Sequence, residues 1–583
     1  MATLIGRVLP RTVAGGRLAR RQRVRQKVGV DGILKRILFA FIALWLFAFM
    51  VYPLLSLLKR SFETKAGEYI GLANYMAYFA SRTTSASLRH TLVVGFISMV
   101  ITVALAFGYA YALARTTIPG KRFFRVVALL PMFIPSVVQA LAFIYMFGNN
   151  GLFTQLTDIN IGLYGLKGIV MSEVFWAFPH ALTILLTSLE LADARLYEAS
   201  ESLGASGWRT FLTVTLPTVK YGLMSAAFVS FTLAITDFGA PKVVGGDYSV
   251  LATDIYAKVI GQQNFGMGAT VSTLLLVPTA IAFVLDRIVQ RKQISQITAE
   301  IVPMGPRRHR LLVQWGLLVV CLLVALFILS VYGMVGVGAF TKYWPYDLSL
   351  TLKNFSEFYV AGAHHGALHV LRNTVKMATL TALVGTVIVF GSAYLIEKTR
   401  RLERARSVLY LLSIIPLSIP GTVLGLSYLL TFNNPAHPLN FLYGTWAIMI
   451  ISNILHYYTV PFLTAMAALK QMDPAFEAIG ESLDAPFYRT FWRITVPLGL
   501  PAIIAIATYF FLNSLVTLSA LVFLFVPGKE VGSIMVMFLD DAGETAQAMA
   551  MALLILATGL GARGIFSLLT RGVERRTQAW RVR

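Results

Sequence analysis

Glu198-Ala-Ser-Glu-Ser-Leu-Gly-Ala-Ser-Gly-Trp-Arg-Thr-Phe-Leu-Thr-Val-Thr-Leu-Pro217 is a short polar stretch between two long apolar runs. A near copy follows 280 positions later, Glu481-Ser-Leu-Asp-Ala-Pro-Phe-Tyr-Arg-Thr-Phe-Trp-Arg-Ile-Thr-Val-Pro497. In register, the two share Glu-Ser-Leu-x-Ala, then Arg-Thr-Phe, then Thr-x-Pro. Agreement of that length at one fixed offset marks a duplication. The question it raises is what a duplicated polar loop does in a chain that is otherwise mostly apolar.

Of the 583 residues, 57% are hydrophobic and 13% charged, and the mean hydropathy is +0.70. A soluble domain carries about a quarter charged residues, so this chain is built for lipid. A helix needs about 20 apolar residues to cross the hydrocarbon core. Twelve runs qualify: roughly 37–58, 91–115, 124–147, 167–190, 219–240, 268–288, 312–338, 371–396, 406–431, 443–468, 497–522 and 546–569. Helices are expected throughout, because open strands would leave backbone groups unpaired in lipid. Glu173 and Pro179 interrupt the fourth run, and Glu173 is expected at the outer interface.

The net charge of +23 is not gathered on one soluble face, which excludes a nucleic-acid-binding surface. It lies in clusters between runs: Arg115 to Arg125, Arg287 to Arg310, Lys398 to Arg406, and Arg571 to Arg583. All fall on one side if there are twelve crossings with both termini cytoplasmic. The loop at 59–89 is an exception, with Lys59, Arg60, Lys65, Arg82 and Arg89. Residues 1–36 hold ten Lys or Arg against Asp31, with no cleavage site after a short apolar region, so they read as a basic cytoplasmic tail. Cys321 lies inside an apolar run and is expected to be a small core residue.

The duplication extends beyond the polar loop. Arg89-His-Thr91 matches Arg372-Asn-Thr374, and Phe107-Gly-x-Ala-Tyr111 matches Phe390-Gly-x-Ala-Tyr394. Pro131-x-x-Ile-Pro135 likewise matches Pro416-x-x-Ile-Pro420. Six crossings separate the copies, and an even number keeps both in the same orientation. The expected fold is an all-α membrane protein of twelve transmembrane helices in two parallel six-helix repeats. The expected divisions are 1–36 for the tail, 37–300 for the first repeat and 301–583 for the second.

On this topology both polar loops face the cytoplasm between crossings four and five of their half. A short surface helix with an exposed apolar stripe suits docking into a partner's groove, and two equivalent loops suit a partner with two grooves. The loops resemble the EAA loop of ABC importer permeases, Glu-Ala-Ala-x-x-x-Gly with a following Leu-Pro. Glu198, Ala199, Ser200, Leu203, Gly204 and Ala205 occupy the first copy, closed by Pro217. The second departs: Ala478 takes the acidic position, Glu477 stands one place earlier, and Glu481, Leu483, Asp484 and Ala485 follow, with Asp484 in place of the glycine. The resemblance covers nearly the whole chain after residue 36, in the fused branch that includes ferric-iron, thiamine and 2-aminoethylphosphonate importers. It implies a type I importer fold in the bacterial inner membrane and contact with lipid. It also implies two copies of a cytoplasmic ATP-binding subunit and an external substrate-binding protein.

No G-x-x-x-x-G-K-[ST] occurs, so the expectation is a transport subunit that is not an enzyme and binds no cofactor, with Mg-ATP held by the partner. Polar residues at membrane depth are candidates for the solute pathway because they are costly there. They are Asp237 at the outer end of the fifth run, and His456, Tyr457 and Asn513 in the second half. The counterpart of Asp237 is Thr517, so the acid belongs to one half alone. Lys242, Gly245 and Gly246 follow in 236–265, the stretch most similar to 2-aminoethylphosphonate importers; that resemblance suggests backbone N–H groups and an ammonium for a phosphonate, and an acid for its amine. His364, His365 and His369 precede the eighth run and are expected to be interface histidines rather than metal ligands. The competing functional class is an ion-gradient-driven secondary transporter, which also often has two six-helix halves. The scarcity of buried charge pairs speaks against it.

Overall fold

The computed structural model describes residues 30–64, 66–296, 302, 305, 311–360, 363–399, 402–473, 475–483 and 485–577. The first half runs α1 (Val30–Arg60), α2 (Arg82–Arg115), α3 (Lys121–Ala128), α4 (Ser136–Phe147), α5 (Leu166–Glu190) and α6 (Ala194–Ser202). It continues with α7 (Gly207–Thr236), α8 (Gly239–Val244), α9 (Leu251–Tyr256) and α10 (Phe265–Gln296). The second half repeats the order: α11 (Leu311–Phe340), α12 (Ala367–Lys398), α13 (Glu403–Ile414), α14 (Gly421–Phe432), α15 (Trp446–His456) and α16 (Thr459–Lys470). Then come α17 (Ala475–Ser482), α18 (Phe487–Val516), α19 (Gly532–Asp541) and α20 (Thr545–Thr577). Two small hairpins, β1 (Thr341–Tyr343) with β2 (Asp347–Leu350) and β3 (Glu357–Val360) with β4 (Ala363–Gly366), lie between α11 and α12.

Among the described residues, nine helices are long and apolar enough to cross a membrane, or twelve if each of three bent pairs counts as one span. The bent pairs correct the expectation of straight spans over 124–147, 406–431 and 443–468. The cause in the first two is the repeated Pro-x-x-Ile-Pro. A residue before proline is pushed out of the α region: Ile134 sits at φ −124°, ψ 139° and Ile419 at φ −98°, ψ 113°. The helices on either side meet at 107° and 109°. The third pair bends by 59° between His456 and Thr459. Such breaks are tolerated at membrane depth only where protein covers the freed backbone groups. Gln139 does so in the first half, donating to the carbonyls of Pro131 (2.9 Å) and Ile134 (3.2 Å).

The Thr-x-Pro motif has its own consequence. Proline cannot donate to the carbonyl four residues back, and its ring crowds that carbonyl. Both copies widen by one residue just before it, giving π-turns at Phe211–Thr215 and Phe491–Thr495. There Leu216 and Val496 donate to the carbonyls of Phe211 and Phe491, five residues back. A shared three-residue pattern thus encodes one matched irregularity in each half.

The first helix of each half packs against the other half. From α1, Trp45 meets Tyr458 at 6.2 Å between ring centroids, Phe49 meets Phe432 at 5.8 Å and Tyr52 meets His437 at 5.5 Å. From α11, Phe327 lies 5.9 Å from Phe143 and 6.1 Å from Phe175. Each aromatic pair contributes roughly 0.5–1.5 kcal/mol beyond its buried area. Helix α1 begins at Val30, so the last seven residues of the expected tail are helical; residues 1–29 lie outside the described ones. The exceptional cations at 59–60 are compensated locally, Lys59 by Glu63 at 3.6 Å and Arg60 by Glu63 at 3.0 Å. Cys321 is buried in the core as expected.

Within each half the spans approach closely at glycines. A Cβ on Gly95 of α2 would lie 2.4 Å from Ile235 Cγ2 and 2.8 Å from Phe231 Cε2 of α7. Gly95→Val is therefore expected to destabilise the protein by about 1–3 kcal/mol through overpacking, read as a lowered Tm in detergent. Val on the open Gly108, where nothing lies within 4 Å, is the control.

Candidate functional site

The first polar loop is a helical elbow. Asp193 caps α6 by accepting from Arg195 N at 3.1 Å. The helix ends in a double-bonded turn, with Gly204 N donating to Glu201 O at 2.9 Å and Ala205 N to Ser200 O at 3.1 Å. That turn needs a left-handed residue, and Gly204 supplies it at φ +69°. Ser206 then caps α7 through Arg209 N at 3.3 Å, and Ser200 and Thr210 hydroxyls bond across the elbow at 2.8 Å. Glu198 and Ala199 lie on the exposed side, and Leu203 at the tip is 87% exposed.

The second loop has the same form with different chemistry. Ala485 N reaches Gly480 O at 2.9 Å, matching the Ala205 bond. Gly480 replaces Ser200, and a Cβ there would meet Thr490 Oγ1 at 2.8 Å, so contact replaces the hydrogen bond across the elbow. Leu483 at the tip is 75% exposed, Ala478 is exposed and Glu477 half-buried. Asp484 and the side chain of Glu481 lie outside the described residues.

One cation per half ties the elbow to the spans, a feature the sequence reading missed. Arg115, the last residue of α2, is buried; it donates to Leu189 O at the end of α5 (2.7 Å) and stands 5.0 Å over the Tyr197 ring of α6. Lys398, the last residue of α12, donates to Met472 O at 3.4 Å and pairs with Glu477 of α17 at 3.4 Å. Arg115 to Lys398 and Leu189 to Met472 are the same step along the chain. Their shared position was visible as the last cation of a matched span, but its inward direction was not.

The structure gathers a polar cluster where the halves meet. Asp237 follows α7 and accepts from Ser136 Oγ at 2.7 Å and Ala240 N at 2.9 Å. Tyr457, at the bend between α15 and α16, interacts electrostatically with Asp237 and accepts from Thr517 Oγ1 at 2.9 Å. Thr517 is the residue matched to Asp237. Glu173 belongs to the same cluster: it is fully buried, and its carboxyl interacts with that of Asp237. Depth along the run says nothing of the direction of its side chain, which packing turns into the protein. His456 lies 4.6 Å from Tyr457 with its Nδ1 buried and unpartnered. Asn513 instead bonds within its own helix, to Tyr509 O at 2.8 Å.

The 236–265 stretch forms a lock between halves on the face opposite the elbows. Lys242 of α8 pairs with Asp541 of α19 at 2.9 Å, and Gly245 N is committed to Pro241 O at 3.0 Å. Gly246 is a left-handed turn at φ +53°. The side chains of His364 and His365 lie outside the described residues, and His369 is exposed beside Arg372. Burial and neighbouring Asp541 push the Asp540 carboxyl up to about 6, with Lys242 opposing. A carboxyl raised by folding favours the folded state as it protonates. Stability is therefore expected to rise by about 1 kcal/mol as pH falls from about 7 to 5, and Asp540→Asn to flatten that slope. Thermal unfolding at the two pH values reads it.

The comparisons with known proteins agree with this architecture. The family described as binding-protein-dependent transport system inner membrane component matches residues 104–295. The ferric transport system permease protein FbpB of Actinobacillus pleuropneumoniae is 30% identical over 533 residues, 87% of this chain and 74% of that one. The sulfate transport system permease protein CysW of Synechococcus elongatus is 31% identical over 179 residues, 30% of this chain and 62% of its own. The molybdenum transport system permease protein ModB of Haemophilus influenzae is 34% identical over 146 residues, 24% and 64% respectively. With helices, bends and elbows arranged as two matched halves, and a relative of this identity spanning most of the sequence, the chain belongs to the binding-protein-dependent inner-membrane components, the permease subunits of ABC importers.

Proposed function

We propose that the elbows at Leu203 and Leu483 are the attachment points for two copies of a separate ATP-binding subunit, facing the cytoplasm together with both termini. The observation that carries this reading is the pair of matched elbows, each with an exposed leucine at its tip and each fixed to the spans by one inward cation. An exposed apolar tip suits a partner groove. The buried Arg115 and Lys398 contacts make the elbow move with the span ends and not independently of them. Hydrolysis of Mg-ATP in the partner would then alternate access from the two faces. A substrate-binding protein outside delivers the solute.

For the solute, ferric iron is the reading we favour over the 2-aminoethylphosphonate suggested by residues 236–265. Glu173, Asp237 and the Tyr457 hydroxyl are oxygen donors suited to a hard cation, and none of them carries a positive charge to meet a phosphonate. Lys242 and Gly245 N, the groups that would receive a phosphonate, already have partners in Asp541 and Pro241. A relative that spans most of the chain is named for ferric transport. The second reading places the ammonium of 2-aminoethylphosphonate at the same acids.

The test uses proteoliposomes holding the permease, its ATPase and its binding protein. ATP-dependent ferric uptake is expected, and Glu173→Gln with Asp237→Asn should lower it about ten-fold while leaving assembly intact. Uptake of 2-aminoethylphosphonate alone would overturn the iron reading, and uptake driven by an ion gradient without ATP would overturn the coupling. Gly204→Val forces a branched side chain to φ +69°, a strain of about 1–2 kcal/mol. Solute-stimulated ATP hydrolysis is expected to fall about ten-fold with it; unchanged hydrolysis and ATPase binding would count against the elbow's role.

A further inference from the structure

The two elbows differ in how their second helix begins. In the first, Ser206 is a local cap, accepting from Arg209 N at 3.3 Å. Its counterpart 280 residues on is Pro486, which has no side-chain oxygen to offer, and among the described residues of the loop none supplies a side-chain cap. The first turn of α18 receives its acceptor from the far end of the chain instead: Phe487 N donates to Asp31 Oδ2 at 2.8 Å. One turn along α1, on the same face, Lys35 Nζ stands 5.1 Å over the Phe487 ring. Residues four apart on a helix are neighbours, so the acid and the cation grip one residue between them. An acidic acceptor at a helix N-terminus also meets the positive end of the helix dipole.

A related contact joins the other pair of elements. Ala194 N, at the start of α6, donates to Val302 O in the segment that leads into α11. In both cases a residue at or before the start of a half's first helix touches the opposite half's elbow.

We infer that Asp31 is a positioning residue for the second elbow, a cap supplied across 456 residues of chain that replaces the one lost at Pro486. It fixes the entry of α18 relative to α1, so the second elbow is held by the first helix of the other half as well as by Lys398. The part of this inference that concerns coupling rests on reading 475–495 as an ATPase attachment.

Hydrogen–deuterium exchange over 487–490, in the permease–ATPase complex in nanodiscs, tests the cap directly. Asp31→Ala should speed exchange there about five-fold, the size expected for a lost N-cap, with no change over 207–210. Asp31→Asn, which keeps an acceptor oxygen, should behave as the native protein. Pro486→Ser should restore slow exchange to Asp31→Ala by rebuilding the local cap, and should recover solute-stimulated ATP hydrolysis lost in the single variant. Unchanged exchange in Asp31→Ala overturns the cap. Faster exchange with native hydrolysis overturns the positioning role, whereas failure of the attachment reading itself shows separately, as an inert Gly204→Val.

Discussion

A backbone in hydrocarbon has no water to satisfy it, and most of this architecture follows from that constraint. It makes every crossing a helix and lets helices break only where other protein covers the exposed carbonyls. The breaks at Ile134 and Ile419 sit where first and second halves enclose them, and Gln139 spends its amide on the two carbonyls released. The same constraint explains why the π-turns at 211–215 and 491–495 lie at the elbows, near the membrane edge. Both turns are partly exposed on the protein surface, where an irregular backbone is tolerated. What was duplicated is therefore a set of permitted irregularities in fixed order, along with a set of helices.

The exchange of first helices gives those irregularities a common frame. Helix α1 lies along α13 and α14, and α11 lies along α2, α3 and α4, so each half is clasped by the other's opening segment. Aromatic contacts such as Trp45 with Tyr458 and Phe327 with Phe143 are spread along the clasp, not concentrated at one end. A force applied to one elbow therefore reaches both halves. Two independent six-helix bodies would lack that property.

Much of this was legible in the sequence because it is periodic or local. Hydropathy located the crossings, and the fixed offset identified the halves and both elbows, including Gly204, whose left-handed turn is a local demand of the helix end. The repeat of Pro131-x-x-Ile-Pro135 is plain in the sequence, but the break it makes lies in the backbone of Ile134, which leaves the α region. The direction of a side chain from a long helix was the harder problem. Glu173 could face lipid, interface or protein at the same depth, and only tertiary packing turns it toward Asp237. Arg115 and Lys398 raised the same difficulty: each ended a run in a basic cluster that was assigned wholly to topology. Asp31 was beyond reach, since nothing local links residue 31 to residue 487.

The elbows diverged where one half could borrow support from the other. A serine at 206 keeps the first elbow self-contained, and its hydroxyl bond from Ser200 to Thr210 closes the corner from inside. In the second, Pro486 removes the local cap and Gly480 removes the internal bond, yet the corner keeps its Ala485-to-Gly480 bond and gains an ion pair at Lys398 and an acceptor at Asp31. Support moved from hydroxyl groups inside the corner to charged groups on neighbouring helices. The Lys398–Glu477 pair is largely enclosed, so salt screens it little. A pair of identical loops would rest on the same contacts; these two do not, and the second is tied to α1 of the other half.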